Sequence, residues 1–389
     1  MRTASILRAR QRRTKQTRGS SRACRFLVLV SVLVVVAGCG SSADDRPVVI
    51  EAFGAAVHRD SLARELRLFI WPDYLDRKLV DEFEEAYGVR VVIDYYDNNE
   101  ALIAKLAAGG LGQYDLVVAS DYAVEVLRDE QRLLPLEHAH IPNLRNLETR
   151  FRVLPFDSGN RYTVTYQWGT TGLGIRSDLV RTNGGELDTW KLVFDSVAQL
   201  GPFVMLSDPR ETLGAALLYL GYSANSTDTV ELAAAERLLL AQRPRLLTYA
   251  ASAQGRDLLA SGDVVVSHNY SGDILMAQVE VSAIRYVIPR EGAILWTDNL
   301  AVPARAPSKY TAEAFINFIL DAHVGGRLSN FTHYASPNAA AWPYISDELK
   351  TDPAVYPDSA VLRRLEVVRD IGPARALYDR IWSRLRAGR

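Results

Sequence analysis

The stretch LRLFIWPDYLDRKLVDEFEEAYGVRVVIDYY, residues 66–96, decides the fold class of this chain. Its apolar run 68–70 is short and continuous, which is typical of a strand buried on both faces. Apolar side chains then recur every four residues and predict a helix over about 76–87, with Gly88 as its natural stop. A second apolar run predicts a strand over 89–95. The order strand, helix, strand indicates a parallel α/β sheet.

This alternation continues along the chain as a βαβαβ unit, and a second α/β region begins near Thr171. The last two predicted helices return after both regions have been traversed. The chain therefore crosses more than once between two α/β lobes, and we expect a hinge between them. The elements predicted after residue 96 are helix 98–108, strand 114–119, helix 121–129, strand 203–206, helices 211–221, 231–241 and 250–261, strands 263–267 and 284–288, and helices 311–321 and 373–387.

The first 38 residues predict an export signal. They hold nine basic residues and no acidic residue, followed by the apolar run 26–37, which is too short for a comfortable membrane span. Residues 36–39, Val-Ala-Gly-Cys, resemble the lipobox of bacterial lipoproteins, in which the cysteine after the cut receives the lipid. We therefore expect a signal peptide over 1–38, a lipid on Cys39, and a flexible tether over 39–65 that holds the domain outside the cytoplasm, at the outer face of the cytoplasmic membrane or in the periplasm.

Composition limits the function of the exported part. The chain has 389 residues, of which 48% are hydrophobic and 23% charged, which is ordinary globular material long enough for two domains. Without the leader, 36 basic and 46 acidic side chains remain, a formal charge of −10 that disfavours a nucleic-acid partner. Cys24 and Cys39 are the chain's two cysteines, so the mature fold has no disulfide and no thiol nucleophile.

The usual signatures of catalysis and nucleotide binding are missing from the sequence. It contains no P-loop, no G-x-S-x-G and no H-E-x-x-H. The glycines of WGTTGLG, residues 168–174, are not spaced as in a dinucleotide loop and are interpreted as a turn or hinge. His138 and His140 have no third ligand nearby, so a polar loop is favoured over a metal site. The sequence thus predicts no metal and no cofactor.

Acidic side chains recur beside aromatic or hydroxyl residues at predicted strand ends and helix starts. Ligands bind at the carboxyl ends of strands in open α/β sheets, so we expect these groups to meet in one cleft. Ring faces and carboxylates together suit an ammonium on an apolar stem, because a cation over a ring gains roughly 0.5–2 kcal/mol and a carboxylate adds a directed hydrogen bond. The groups are Trp71-Asp73-Tyr74, Ser120-Asp121-Tyr122, Ser207-Asp208 with Glu211, and Trp296-Asp298.

The pair Asp208 and Glu211 leaves a second interpretation open. Two acids three residues apart could serve as a general acid and base in a hydrolase, or could favour the positive end of a helix dipole. The absence of a nucleophile motif counts against the hydrolase. A binding protein for another organic cation or small solute is the alternative within the binding class.

Motifs from Leu66 to Gly388 resemble the spermidine/putrescine-binding proteins of bacterial ABC transporters. The resemblance implies an α/β periplasmic-binding-protein fold, type II-like, with a ligand cleft between two hinged lobes: 66–170 plus 297–342, and 171–296 plus 343–389. It also implies a monomer, without enzymatic activity, that delivers a polyamine to permease subunits with a cytoplasmic ATPase. The motifs are FIWPDYL, NNEALIAKL, YDLVVASDYAVEVL, WGTTGLG, SDPRETLGAALLYLGYSANSTD, EGAILWTDNLAVPA, FINFIL and YASPNAAA.

The same resemblance assigns the ligand-binding residues. It implies that Asp73 holds a terminal ammonium, that Asp208 and Glu211 form the acidic pair at the other end, and that Asp298 meets an internal amine. Three positions depart from the family pattern: Pro72 replaces a hydroxyl residue, His268 stands where a tryptophan is usual, and Val368 stands where a glutamine is common. The departures leave the choice between spermidine and putrescine open. The full set is Trp71, Asp73, Tyr74, Ser120, Tyr122, Asp208, Glu211, His268, Trp296, Asp298 and Tyr334.

Overall fold

The computed structural model describes residues 48–180, 186–195 and 201–388, so the predicted signal 1–38 and Cys39 lie outside the described residues. The strands are β1 Val49–Ala52, β2 Ala55–His58, β3 Glu65–Ile70, β4 Arg90–Tyr95, β5 Leu116–Ser120, β6 Val153–Leu154, β7 Asp157–Ser158, β8 Thr163–Arg176, β9 Phe203–Leu206, β10 Leu246–Ala250, β11 Val266–Tyr270, β12 Ile284–Val287, β13 Ala293–Ala301 and β14 Leu365–Val367. The helices are α1 Arg77–Tyr87, α2 Asn99–Ala107, α3 Asp121–Asp129, α4 Lys191–Phe194, α5 Pro209–Tyr219, α6 Thr229–Ala241, α7 Ser252–Ser261, α8 Ser271–Glu280, α9 Lys309–Ile319, α10 Ala322–Thr332, α11 Asp347–Thr351, α12 Ser359–Leu362 and α13 Arg375–Ala387.

The main sheet has the strand order β10-β9-β11-β8-β13-β5-β3-β4, with β12 paired to β8 and β14 paired to β13. Strand β3 lies between β4 and β5 and is parallel to both, which confirms the predicted βαβαβ unit. The long strands β8 and β13 are antiparallel and occupy the middle of the sheet. Strand β8 pairs with β13 over Thr163–Thr171 and with β11 over Thr171–Ile175, so one strand is shared by both halves of the sheet.

Strand β3 is buried on both faces, as its continuous apolar run predicts. Leu68 and Ile70 are fully buried in the same core cluster as Phe83 of α1. Phe69 points to the opposite face, where its ring stacks on Tyr114 with centroids 4.5 Å apart and planes 4° from parallel. The carboxyl end of β3 is thereby held rigidly from both sides.

The glycine-rich segment 168–174 was interpreted as a turn or hinge; the turn is wrong, whereas the hinge stays a prediction. The segment lies inside β8, where the glycines allow close packing rather than a change of direction. A Cβ on Gly169 would lie 2.6 Å from Cζ2 of Trp296, and one on Gly174 would collide with the side chain of Ile274. Absence of a side chain at these positions lets neighbouring groups approach the strand backbone.

The flexible tether predicted over 39–65 is contradicted for its described part. Strands β1 and β2 form an antiparallel hairpin in which Ala55 and Val57 are buried. The ring of Phe53 packs edge-on against Phe318, with centroids 4.7 Å apart, and its carbonyl accepts a hydrogen bond of 2.8 Å from Nδ2 of Asn143. These contacts dock the hairpin on α9 and the segment after α3, because its apolar residues find partners far along the chain.

No helix within the described ranges has the length and apolar character needed to cross a membrane.

Candidate ligand-binding site

A cavity opens where four strands end. It lies beyond the carboxyl ends of β3, β5, β9 and β11 and beside the middle of β13, which is where ligands are expected in an open α/β sheet. Its empty space is about 660 Å³, including the opening to solvent. Ten of the eleven predicted site residues line it: Trp71, Asp73, Tyr74, Ser120, Tyr122, Asp208, Glu211, Trp296, Asp298 and Tyr334.

Asp298 lines the cavity and is held by two hydroxyl groups. Its Oδ1 accepts a hydrogen bond of 2.6 Å from Oγ of Ser120, and its Oδ2 accepts one of 2.8 Å from the hydroxyl of Tyr74. Ser120 faces Asp298 directly in the β5–β13 register. Burial raises the pKa of Asp298 to about 6, although the two hydrogen bonds act in the opposite direction. The sheet therefore holds a carboxylate that has no positive partner among the described residues.

Aromatic rings form a continuous wall along the cavity. Trp71 meets Tyr74 edge-to-face at 5.8 Å between centroids, and Tyr74 meets Tyr334 at 5.5 Å. Tyr334 then meets Trp296 at 5.1 Å, and Trp296 meets Tyr270 at 5.8 Å. All four contacts are close to perpendicular, an arrangement that fixes each ring through its neighbours. Fixed rings of this kind can pack on an aliphatic chain and attract a cation.

Asp208 and Glu211 have different roles although they lie three residues apart. Oδ1 of Asp208 accepts hydrogen bonds from the backbone N–H of Arg210 and of Glu211, at 2.9 and 3.1 Å, so Asp208 is the N-cap of α5. Oε2 of Glu211 is buried and has no hydrogen-bond partner among the described residues. Burial and then the charge of Asp208 raise the pKa of Glu211. Glu211 is thus the member of the pair with an unsatisfied acceptor.

Comparison with known proteins places the chain in a family. Residues 78–357 match the family described as bacterial extracellular solute-binding protein. The chain belongs to this family. The putrescine/cadaverine-binding protein of Pseudomonas aeruginosa is 33% identical over 342 residues, 85% of this chain and 96% of that protein. The spermidine/putrescine-binding periplasmic protein of Escherichia coli is 32% identical over 337 residues, 86% of this chain and 95% of that protein.

Solved structures agree with the family membership. The structure described as a putative spermidine/putrescine ABC transporter from Listeria monocytogenes has a TM-score of 0.80 at 32% identity, covering 84% of this chain and 100% of the other. The predicted resemblance and the predicted two-lobed periplasmic-binding-protein fold are both confirmed. The family description names solute binding as the activity of its members, and no enzymatic reaction.

One predicted site residue, His268, does not line the cavity of this solute-binding protein. It lies within β11 and is 1% exposed, with its ring 5.3 Å from that of Trp190. Burial lowers its pKa to about 3, so the ring is neutral. Tyr270 lines the cavity instead, because it stands two residues further on at the carboxyl end of the strand, about 7 Å nearer the rim.

The sequence interpretation missed Asp273 as a site residue of this solute-binding protein. Asp273 lines the cavity, and its Oδ2 accepts a hydrogen bond of 2.8 Å from the hydroxyl of Tyr334. Burial raises its pKa to about 6, while that hydrogen bond and the charge of Arg256 oppose the shift. Tyr270 and Asp273 repeat the grouping of a ring and an acid at a strand end, so the criterion that selected Trp71 and Asp73 could also have found them.

Asp121 and Arg210 complete the charged lining. Oδ2 of Asp121 accepts from the backbone N–H of Thr297 at 3.2 Å, and burial raises the pKa of Asp121. The guanidinium of Arg210 lies 5.3 Å from the ring centroid of Tyr122 and donates to the carbonyl of Arg369 at 2.9 Å. Asp121 belonged to a predicted group of acids, whereas nothing in the sequence pattern indicated Arg210.

Asp73 lies at the rim rather than inside the cavity. It is about half exposed, with a positive φ of 55°, and its Oδ2 accepts a hydrogen bond of 3.1 Å from Nη2 of Arg256. Pro72 and Val368, two of the three departures from the family pattern, also line the cavity. The departures therefore change the wall that a ligand would touch.

No cluster of three potential metal ligands occurs in the part of the chain that the structure describes. Nδ1 of His140 contacts Oε2 of Glu313 at 2.7 Å, and Nε2 of His138 contacts the carbonyl of Asn160 at 2.8 Å. Both histidines lie in a short 3-10 helix and link it to neighbouring segments. Their local partners agree with the polar-loop interpretation.

Proposed function

We propose that this chain binds a polyamine outside the cytoplasm and delivers it to the permease of an ABC importer. One observation carries the proposal: six carboxylates and a wall of five rings line a single cavity. The relatives named above as putrescine-, cadaverine- and spermidine-binding proteins support the same ligand class. The carboxylates are Asp73, Asp121, Asp208, Glu211, Asp273 and Asp298.

Each part of the cavity has a role in this proposal. The carboxylate of Asp298 binds an ammonium group, because its own hydrogen bonds come from neutral hydroxyls and leave its charge uncompensated. Glu211 binds a second ammonium through its unpaired oxygen. Trp296 and Tyr334 enclose the methylene chain between the charges. An uncharged solute would leave these buried acids without partners, so the site selects for cations.

The proposed lobes are 66–170 plus 297–342 and 171–296 plus 343–389. With these boundaries, Asp298 and its two hydroxyl partners belong to the first lobe, whereas Glu211 belongs to the second. A dication that contacts both acids stabilises the closed arrangement of the lobes more than the open one. Closure on the ligand is the state that the permease recognises.

Export and anchoring follow from the leader. We infer that residues 1–38 are removed, that Cys39 carries a lipid, and that the hairpin β1–β2 connects the anchor to the body of the protein. The proposed partners are the permease subunits with their cytoplasmic ATPase, and the protein acts as a monomer without nucleic acid.

The hydrogen bonds of Asp208 count against the hydrolase alternative. Its Oδ1 is already engaged by two backbone N–H groups as a helix cap, which accounts for this acid without proton transfer. The two acids of the predicted pair are therefore not equivalent, because Asp208 is a helix cap and Glu211 is not. Binding without chemistry is the function that we propose.

Calorimetric titration of the purified full-length chain tests the proposal. Putrescine and spermidine should give saturable binding, whereas 1,4-butanediol, which matches putrescine in length but carries no charge, should give none. The same titration with a chelator present distinguishes a metal cargo, because chelation leaves amine binding unchanged. Protein that is folded by circular dichroism and yet binds neither amine would refute the proposed function.

A further inference from the structure

We propose that Arg256 sets the ligand's length by pairing with Asp73 and Asp273, two carboxylates of the cavity lining, so that the site prefers a short diamine over a triamine. The inference rests on the proposed function and names the ligand class within it. Arg256 belongs to α7 and is not one of the residues that the sequence pattern selected. Its guanidinium provides a resident positive charge where a long ligand would place its last ammonium.

Three carboxylates hold this guanidinium. Nη2 donates to Oδ2 of Asp73 at 3.1 Å, Nη1 lies 3.5 Å from Oδ1 of Asp273, and Nε donates to Oδ1 of Asp257 at 3.1 Å. The side chain of Arg256 is 18% exposed and that of Asp273 is 11% exposed, so these two groups are shielded from bulk water. A planar guanidinium with several N–H donors can hold carboxylates on different elements at the same time, which an ammonium does less well.

The partners lie on different parts of the fold. Asp73 follows β3, whereas Asp273 is in the first turn of α8 and also accepts from the hydroxyl of Tyr334. Arg256 therefore bridges two walls of the cavity at its rim. An ion pair between residues of a single exposed helix would not link two walls of the cavity in this way.

The lining acids form two groups by their cationic neighbours. Asp73 and Asp273 pair with Arg256, whereas the other four, called the inner acids here, line the cavity with Arg210: Asp121, Asp208, Glu211 and Asp298. Nη1 and Nη2 of Arg210 donate to the carbonyl of Arg369 and to Oδ1 of Asn225. The inner acids thus retain an excess of negative charge, whereas Asp73 and Asp273 already share a cation.

A short diamine can place both ammonium groups among the inner acids. A triamine has a third charge that must lie near Asp73 and Asp273, where it meets Arg256 and must displace it from both acids. The third ammonium and the guanidinium repel each other, and the displaced guanidinium would lose its hydrogen bond to Asp73 and its ion pair with Asp273. Arg256 consequently disfavours the longer ligand without touching the shorter one.

The test compares putrescine and spermidine by calorimetry on the full-length chain and on its Arg256→Gln variant. We expect the wild type to bind putrescine about tenfold more tightly than spermidine. Arg256→Gln should shift the ratio of the two dissociation constants by about tenfold toward spermidine, because it frees two carboxylates of the cavity lining. Arg237→Gln, which removes the same charge from an exposed position on α6 that pairs with none of the described carboxylates of the cavity, should leave the ratio unchanged.

Failure of the inference and failure of the proposed function are separable. If the wild type binds neither amine, the proposed function fails and the inference falls with it. If both amines bind and Arg256→Gln weakens them equally, Arg256 is a structural ion pair and the inference alone is overturned. Should Arg256→Gln unfold, Arg256→Lys keeps the charge and must keep the preference for putrescine; a reversed preference in Arg256→Lys would overturn the inference.

Discussion

Asp298→Asn should make the ligand-free protein more stable while abolishing its binding. The carboxylate is buried, and burial raises its pKa from 3.8 to about 6. A shift of this size corresponds to about 3 kcal/mol by which the folded state disfavours the ionised form at neutral pH. Asparagine keeps the shape and removes the charge, so that penalty disappears.

The net gain is smaller than the penalty removed. Ser120 and Tyr74 both donate to Asp298, and the amide of asparagine can accept from only one of them without rearrangement. Losing one hydrogen bond costs about 1 kcal/mol. We therefore expect the free energy of unfolding at pH 7 to rise by about 1–2 kcal/mol.

The pH dependence of stability provides a second test of whether Asp298→Asn is stabilising. Because the folded-state pKa lies above the unfolded one, folded wild type binds more protons than unfolded wild type between about pH 4 and pH 6. Wild-type stability at Asp298 therefore falls as the pH rises through this window. The advantage of Asp298→Asn should be complete above pH 6 and should vanish toward pH 4.

Urea denaturation of the full-length chain from pH 4 to pH 8, followed by circular dichroism, measures this difference. Asp60→Asn is the matched control, because Asp60 is exposed and the same substitution there should change stability little. Calorimetry with putrescine should show at least about a hundredfold loss of affinity in Asp298→Asn, since removing one member of a buried charge pair costs several kcal/mol. A variant that is less stable at pH 7, or that retains wild-type affinity, would refute the reasoning.

Three further outcomes are expected. Asp208→Ala should lower the free energy of unfolding by about 1 kcal/mol through loss of the α5 cap, whereas Glu211→Gln should weaken polyamine binding without lowering stability. Urea denaturation measures the stability of both variants and calorimetry measures their affinity. Equal losses of stability would contradict the separate roles of the two acids. Polyamine affinity should fall below pH 6 by about tenfold per pH unit for each carboxyl that must lose a proton, and Asp298 and Asp273 are two such acids. Calorimetry in two buffers of different ionisation enthalpy counts the protons released, and a flat affinity profile from pH 5 to pH 7 would argue against the role of these acids. Gly169→Ala should cost about 1–3 kcal/mol in stability and weaken binding, because the added methyl would lie 2.6 Å from the indole of Trp296. Thermal unfolding measures the loss of stability. An unchanged melting temperature would show that the ring can move aside freely.

Position along a strand was readable from the sequence, whereas contacts between distant segments were not. The apolar run before Trp71 marked the end of β3, and the rule that ligands bind beyond strand ends then placed Asp73 and Tyr74 at the cavity. His268 was predicted wrongly because the resemblance to the family identified the strand but not which residue of that strand reaches the cavity. Two residues along β11 separate a ring at the rim, Tyr270, from a ring in the core.

Packing decided the remaining differences. Glycine at 169 reads as a turn residue in isolation, yet the structure uses its missing side chain to admit Trp296, 127 positions later in the chain. In the same way the pairing of Arg256 with Asp73 joins residues 183 positions apart. Neither relation leaves a periodicity or a motif, so no pattern within one segment could have indicated it.

The buried acids explain why a cation would close this protein. In the empty cavity, burial raises the pKa of Asp298 and of Asp273 to about 6, which means that the fold disfavours their ionised forms. The same holds in direction for Glu211, which belongs with Asp273 to the second proposed lobe, whereas Asp298 belongs to the first. Bringing the two sets of acids together without a ligand costs free energy, and a polyamine removes that cost only when both lobes contact it. The free energy gained when the ligand neutralises these acids is therefore what favours the closed form over the open one. Neutralising Asp298 should weaken polyamine binding, and it should also make the closed form easier to populate without a ligand, because fewer charges must then be buried together.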